Sequence, residues 1–249
     1  MNFPLIHNYD DRRDIAVPGN YEQTLDFCAH HFVDSAKSAI DERGRFLVAL
    51  SGGRTPEALY KRLLLEKNRS QIDWEAVWVF WSDERCVSRD DPGSNYYMAM
   101  EAAFAQLPVP KTQIFPMNGM GNLEENAAQY QASIKQHVPQ SRFDLIMLGM
   151  GNDGHTASLF PHTAALHAKR EQWVLPNSIK EQDLWRLTFT FPLINQALQS
   201  VVYVMGKEKA ATVRRVFNTS FDFEALPVQG VGTASHKALW ILDEDAARK

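Results

Sequence analysis

The sequence has too little of several features to belong to some common classes of protein. Among its 249 residues only Cys28 and Cys86 are cysteines, so a disulfide framework is excluded, and neither lies in a metal-ligand cluster. No apolar run approaches the roughly 20 residues that span a bilayer. Residues 1–7 lack the basic segment and apolar run of a secretory signal. These absences predict a reduced, cytoplasmic enzyme or binding protein that does not enter a membrane.

Positive charge is also scarce, with 26 Lys and Arg against 30 Asp and Glu, which gives a formal net charge of −4. Binding to a phosphate backbone usually requires a basic excess, so nucleic acid is excluded as the main partner. A small anionic ligand remains possible, because it needs only a few well-placed donors. With 45% hydrophobic and 22% charged residues the chain can bury a core. No repeat or linker divides it, which predicts a single domain over residues 1–249 without an obligate protein partner.

The apolar periodicity alternates between helical and strand-like segments. A helix is predicted from Tyr21 to Arg43, with Asn20 as its N-cap and Gly44 at its end. A second helix is predicted to begin at an N-cap Thr55, and further helices are expected at residues 95–106, 123–137 and 208–217. Short apolar runs predict strands at residues 46–50, 77–81, 143–148, 172–175, 186–191, 200–205 and 237–242. This alternation is typical of a three-layer α/β/α fold with a mostly parallel sheet.

The first of three polar motifs follows the strand that ends at Leu50. Ser51, Gly52, Gly53, Arg54 and Thr55 form a glycine-containing loop that leads directly into a helix. The free N–H groups of such a helix start favour an anion, and the two hydroxyls add donors. The loop matches neither the Walker motif nor the dinucleotide fingerprint. A tight turn that needs glycine only for its geometry is the alternative interpretation.

The second motif, Ser82-Asp83-Glu84-Arg85, follows a very apolar run that ends at Trp81. Consecutive charges of this kind often form a solvated loop. At the carboxyl end of a parallel strand, however, they face the crevice in which ligands bind. Arg85 would there present a fixed positive charge to a substrate oxygen or phosphate.

The third motif runs from Gly149 to His155 and also follows an apolar strand. Asp153 and His155 are its only titratable side chains. Histidine is suited to proton transfer near neutral pH, and a carboxylate two residues away can orient its ring or hold a water molecule. The alternative is a helix-capping aspartate beside a surface histidine. Further along the chain, Arg186 and Lys209 are candidates to complete an anion site.

Together these motifs indicate a site of sugar-phosphate size with one general base. The sequence contains no nucleophile elbow and no obvious covalent nucleophile, and neither a metal nor a cofactor is expected. Direct attack by water is therefore the simplest hydrolytic route.

The three motifs resemble the signature segments of the 6-phosphogluconolactonase family in order and spacing, the third extending through Thr156-Ala157-Ser158-Leu159-Phe160-Pro161. The resemblance implies a modified Rossmann-like fold related to glucosamine-6-phosphate deaminase and ribose-5-phosphate isomerase. It also implies metal-free hydrolysis of 6-phospho-D-glucono-1,5-lactone in the oxidative pentose phosphate pathway.

The resemblance further implies a role for each matching residue. His155 corresponds to the general base, Asp153 to the carboxylate beside it, and Arg85 to an arginine near the substrate. The residues implied to contact the substrate or its phosphate are Ser51, Gly52, Gly53, Thr55, Asp83, Arg186 and Lys209. Arg54 stands where many relatives have serine, so its place among the phosphate contacts is left open between solvent and phosphate.

Two other functions are consistent with parts of the sequence. An isomerase or amino-sugar deaminase resembles this chain around Asp153-Gly154-His155, but a glutamate follows in such enzymes, whereas residues 156–161 contain no carboxylate. A non-catalytic sugar-phosphate sensor is the second alternative, and it would bind its ligand without turnover.

Overall fold

The main sheet has seven strands. The computed structural model describes residues 6–179 and 184–248. In the order in which they lie side by side, the strands are β1 (His7–Asn8), β2 (Arg13–Ala16), β10 (Ala238–Leu242), β9 (Ser200–Val204), β6 (Leu145–Leu148), β3 (Phe46–Leu50) and β4 (Val77–Trp81). All neighbouring pairs are parallel except β1 with β2. Strands β1 and β2 were not predicted from the sequence.

A second, antiparallel sheet has three strands, in the order β5 (Asp83–Arg85), β8 (Leu184–Phe189) and β7 (Val174–Ile179). The sequence prediction placed strands near β7 and β8 but did not separate them from the parallel sheet, and it gave β5 no strand at all. Only four residues of sequence separate β7 from β8, too few for the crossover that a parallel pair requires, and the two strands pair as antiparallel neighbours. This small sheet carries the second motif.

Within the described residues, seven α-helices accompany the sheets: α1 (Tyr21–Arg43), α2 (Arg54–Leu63), α3 (Glu66–Arg69), α4 (Asn95–Ala99), α5 (Leu123–His137), α6 (Phe191–Ile194) and α7 (Ala210–Asn218). The predicted bounds of α1 and α5 are confirmed. The predicted N-cap Thr55 is wrong, because Gly53 occupies the cap and α2 begins at Arg54. The predicted 95–106 helix is α4 continued by a π-helical turn, Met100–Phe104.

The core lies around β3, whose five residues are all buried. A strand that is buried along its whole length is covered on both of its faces. The predicted α/β class with a mostly parallel sheet is therefore confirmed, while the assignment of the whole chain to one domain stays a prediction. Residues 1–5, on which part of the signal-peptide argument rested, lie outside the described residues.

The start of α1 has a complete capping box, as the sequence predicted. The Gln23 N–H donates to Asn20 Oδ1 over 3.1 Å, and the Asn20 N–H donates to Gln23 Oε1 over 3.0 Å. Both bonds satisfy donors that the helix itself leaves without acceptors.

We expect Asn20→Ala to lower the free energy of unfolding by about 1 kcal/mol, because it removes the cap acceptor. Urea unfolding measures the change. Asn20→Ser, which retains a capping oxygen, should recover most of it. Equal losses in the two variants would contradict a capping role.

Candidate active site

The three motifs meet in one open cleft of about 780 Å³ at the carboxyl ends of β3, β4 and β6. All the site residues predicted from the sequence line this cleft: Ser51, Gly52, Gly53, Arg54, Thr55, Asp83, Arg85, Asp153, His155, Arg186 and Lys209. Parallel neighbouring strands end at the same edge of a sheet, which is why motifs far apart in sequence arrive together. The roles of these residues stay predictions.

The loop that follows β3, residues 51–55, is held at its base by a buried tyrosine. The Tyr60 hydroxyl accepts a hydrogen bond from the Ser51 N–H over 3.0 Å and donates to the Ser51 carbonyl over 2.8 Å. Among the described residues, none accepts a hydrogen bond from the N–H groups of residues 52–55. Four unused donors at a helix start, reinforced by the helix dipole, form an arrangement suited to an anion.

His155 and Asp153 form a close pair in the loop after β6. His155 Nδ1 lies 2.6 Å from Asp153 Oδ1, which also accepts the His155 backbone N–H over 3.1 Å. The His155 ring stacks on Phe160 with ring centroids 4.1 Å apart. A ring held through Nδ1 directs Nε2 away from the carboxylate, as a general base requires.

The charge of Asp153 is favoured by the same pair. Burial alone would raise the pKa of Asp153, but the hydrogen bonds and charge of His155 outweigh burial and lower that pKa below its ordinary value. Asp153 is therefore ionised at neutral pH and is an acceptor for the Nδ1 proton. The sequence alternative of a capping aspartate beside an unrelated surface histidine does not describe this geometry.

The charged residues after β4 do not form a solvated loop. Asp83 and Glu84 are 6% and 2% exposed. Glu84 accepts hydrogen bonds from the backbone N–H groups of Arg85, Asn95 and Tyr96 and from the Ser94 hydroxyl, at 2.7–2.9 Å. Burial nevertheless raises the pKa of Glu84 above its ordinary value. Glu84 thus holds the start of α4 and does not face the cleft.

Two arginines lie opposite each other on adjacent strands of the second sheet. Arg85 on β5 is the register partner of Arg186 on β8, and both line the cleft. Burial, followed by the charge of Arg85, lowers the pKa of Arg186 below its ordinary value. Like charges directly opposite each other destabilise a sheet. An anion bound between them would relieve that repulsion.

Lys209 and Arg54 approach the cleft from its other side. Lys209 Nζ donates to the Met150 carbonyl over 2.8 Å, which ties it to the loop that carries His155. Arg54 is largely exposed and pairs with Glu208 over 2.9 Å. Arg54 therefore has a carboxylate partner already, at the solvent edge of the site.

Among the cleft side chains that the sequence did not single out as site residues are Asn95, Ser158 and Glu208. Asn95 and Ser158 are buried and hydrogen-bond to Asp83, whereas Glu208 faces Arg54. Uncharged polar residues in a helix start and a loop carry no sequence signal of their own, so only the fold identifies them.

The described residues contain neither a cluster suited to a metal ion nor a helix suited to spanning a membrane. Within residues 6–179 and 184–248, no three or more His, Cys, Asp or Glu side chains are grouped so that they could hold a metal ion. In the same ranges, no helix has the length and apolar character that crossing a membrane requires.

The sequence matches a family profile described as glucosamine-6-phosphate isomerases/6-phosphogluconolactonase over residues 20–240. It is 36% identical to a 6-phosphogluconolactonase of Chlamydia trachomatis over 241 residues, which cover 96% of this chain and 91% of that protein. It is 39% identical to a 6-phosphogluconolactonase of Synechocystis over 216 residues, with 84% and 86% covered.

Solved structures of similar proteins have the same fold as this chain. A 6-phosphogluconolactonase from Thermotoga maritima superimposes with a TM-score of 0.80 at 25% identity and covers 94% of this chain and 100% of its own. A monomeric glucosamine-6-phosphate deaminase also has a TM-score of 0.80, over 94% and 98% of the two chains. Its identity of 20% shows a shared fold alone.

The pairing of His155 with Asp153 requires glycine at position 151. A Cβ there would lie 2.1 Å from His155 Nδ1 and 2.4 Å from Asp153 Oδ1. Because both contacts are far inside van der Waals distance, any side chain at this position would push the pair apart.

We expect Gly151→Ala to lower the turnover of the phosphorylated lactone by about 10²-fold or more, because it displaces His155, the predicted general base. The matched control is Gly149→Ala, since a Cβ at Gly149 meets nothing within 4 Å. Steady-state kinetics on both variants measures the difference. Wild-type turnover in Gly151→Ala would show that the His155–Asp153 geometry does not matter.

Proposed function

Because the chain belongs to the family of glucosamine-6-phosphate isomerases and 6-phosphogluconolactonases, we propose that its cleft hydrolyses 6-phospho-D-glucono-1,5-lactone to 6-phospho-D-gluconate by general-base activation of water. The observation that carries the mechanism is that one cleft contains both the His155–Asp153 pair and loop N–H donors that have no acceptor among the described residues. The first is suited to proton transfer and the second to a phosphate. This reaction is a step of the oxidative pentose phosphate pathway.

The substrate phosphate docks on the loop of residues 51–55. The backbone N–H groups and the hydroxyls of Ser51 and Thr55 donate to its oxygens, and Lys209 and Arg186 add positive charge. Arg54, whose guanidinium pairs with Glu208, contributes at the solvent edge. With the phosphate anchored there, the rigid lactone ring extends toward His155.

At the other end of the ring, His155 Nε2 takes a proton from water, and the hydroxide adds to the C1 carbonyl. Arg85 or backbone N–H groups stabilise the oxyanion of the tetrahedral intermediate. The bond between C1 and the ring oxygen then breaks, and the imidazolium returns its proton to that oxygen. Asp153 holds the ring orientation and stabilises the imidazolium throughout. The resulting carboxylic acid ionises and releases one proton.

The location and partners of the protein follow as proposals. The partner is a small phosphorylated lactone, and binding of nucleic acid, membranes or an obligate protein is not expected. A cytoplasmic location stays a prediction from the sequence.

The decisive test of the activity is a coupled assay with freshly generated lactone, in which the protein should exceed the spontaneous rate of hydrolysis. In the same assay we expect His155→Ala to lower kcat by about 10²–10⁴-fold, the usual contribution of a general base. Inorganic phosphate should still bind, because the loop of residues 51–55 is unchanged.

The matched control is His167→Ala. His167 pairs with Glu224 and does not line the cleft, so its removal should leave kcat unchanged. If His155→Ala kept the wild-type kcat, His155 would have no part in the reaction. If the folded wild type failed to exceed the spontaneous rate, the proposed activity itself would be wrong.

Lys209 should make phosphate binding depend on pH. Burial lowers the pKa of Lys209 below that of an ordinary lysine, and the nearby Arg54 acts in the same direction. As the pH rises, Lys209 therefore loses its proton earlier than an exposed lysine and its attraction for the phosphate disappears.

We expect the affinity for 6-phosphogluconate in the wild type to fall as the pH rises, and to do so below the ordinary lysine pKa of about 10.4. Lys209→Arg should retain its affinity over that range, because a guanidinium stays protonated. Titration calorimetry measures both. A parallel fall in the two proteins would show that Lys209 is not the titrating phosphate contact.

A further inference from the structure

Asp83 differs from the other charged side chains of the cleft because both of its carboxylate oxygens are already engaged. Oδ2 accepts a hydrogen bond from the Ser158 hydroxyl over 2.7 Å, and Oδ1 accepts one from Asn95 Nδ2 over 3.2 Å. With the side chain 6% exposed, little of it remains for a substrate. Its partners come from two different segments, the start of α4 and the loop that carries His155.

Asn95 connects Asp83 to the loop of residues 51–55, the proposed phosphate loop. Its Nδ2 also donates to the Asp83 backbone carbonyl over 2.9 Å, so two acceptors fix the orientation of the amide. The amide oxygen consequently points the other way, toward Gly52, where a Cβ would lie only 1.9 Å from it. The loop therefore contacts Asn95 at Gly52, and the position of the Asn95 amide determines the position of the loop.

Ser158 connects Asp83 to the segment of His155. It lies three residues beyond His155, and its position is fixed on the second sheet by two further buried bonds. The Ser158 N–H donates to Thr188 Oγ1 over 3.1 Å, and its carbonyl accepts from Asn177 Nδ2 over 2.8 Å. The Asp83 carboxylate thus connects the two halves of the site, which are the loop of residues 51–55 and the segment that carries His155.

We propose that Asp83 is a positioning residue, which sets the separation between the phosphate loop and His155 by holding Asn95 and Ser158 at the end of β4; this inference rests on the proposed lactonase reaction. The phosphate and the reacting carbonyl lie at opposite ends of a rigid substrate. Both ends bind productively only if the two halves of the site are at the right distance. A misplacement of about 1 Å can cost about 10²-fold in rate.

The test compares two substitutions at this position. Asp83→Asn can keep both links, because its amide oxygen accepts from Asn95 and its NH₂ group donates to the Ser158 hydroxyl. Asp83→Ala removes both. We expect Asp83→Ala to lower kcat/KM by about 10²-fold and Asp83→Asn to stay within about tenfold of the wild type. If the charge of Asp83 contacted substrate or moved a proton, the two variants would lose similar activity, which would overturn the proposal.

Single substitutions of the partners separate the two links. Asn95→Ala should raise KM and weaken the binding of inorganic phosphate, with a smaller change in kcat. Ser158→Ala should lower kcat and leave phosphate binding near the wild-type value. Equal effects of the two variants on both parameters would contradict two distinct links.

A control for general destabilisation is Ser200→Ala. Ser200 is buried at the start of β9, and its hydroxyl donates to the Ile194 carbonyl over 2.8 Å, a bond similar in length to that of Ser158. Its loss should lower the midpoint of urea unfolding without changing kcat or KM. If Ser200→Ala lowered kcat as much as Ser158→Ala does, the effect would be one of stability and the proposal would fail.

The wild-type assay distinguishes this proposal from the one on which it rests. Absence of turnover above the spontaneous rate would overturn the lactonase function and this inference together. Normal wild-type turnover with equal losses in Asp83→Asn and Asp83→Ala would overturn the positioning role alone.

Discussion

Strands β4, β3 and β6 lie side by side in the same direction, and their register determines where every segment of the cleft emerges. The last residues of β3 and β4, Leu50 and Trp81, are register partners. Immediately after them, Ser82 donates to the Leu50 carbonyl from its N–H over 2.8 Å and from its hydroxyl over 3.0 Å. A slip of one residue would move every side chain of a strand to the opposite face of the sheet, where the core is packed around other side chains, so the core enforces this alignment. The loops that follow are brought to one edge as a consequence.

The cleft concentrates positive groups in a chain that is acidic overall. The net charge is −4, yet Arg85, Arg186 and Lys209 all line the same cavity as the loop of residues 51–55. A local field from a few oriented donors and cations acts on a bound group at short range, while the remaining surface charge is screened. The count of basic residues therefore says nothing against binding of a small molecule's phosphate.

Asp83 and Glu84 are adjacent buried carboxylates with different structural roles, and of the two only Asp83 lines the cleft. Glu84 accepts three hydrogen bonds from the start of α4 and one from the N–H of Arg85 on its own strand. Asp83 has partners on two separate segments. Because side chains alternate in direction along a strand, neighbours in sequence point to opposite sides of β5 and reach different surroundings. Sequence adjacency did not indicate this difference.

The elements that the sequence predicted best are those whose signals are local. The bounds of α1 follow from the apolar stripe and from the Asn20 cap, and both are present in the structure. The second sheet escaped prediction because β5 has only three residues, all charged, and pairs with a strand about a hundred residues away. A pairing of that kind leaves no periodic pattern in the chain.

In the site, too, local sequence signals were informative and long-range contacts were not predictable. His155 and Asp153 are two residues apart, so the sequence by itself determined that they can form a pair, and it also placed glycines around them. Only the tertiary structure decided that Asp83 is bonded to Asn95, 12 residues away, and to Ser158, 75 residues away. Burial and hydrogen-bond partners depend on which distant segments pack together. Local residue patterns specify helices, turns and reactive groups, but the packing of the core assigns each buried polar group its partner.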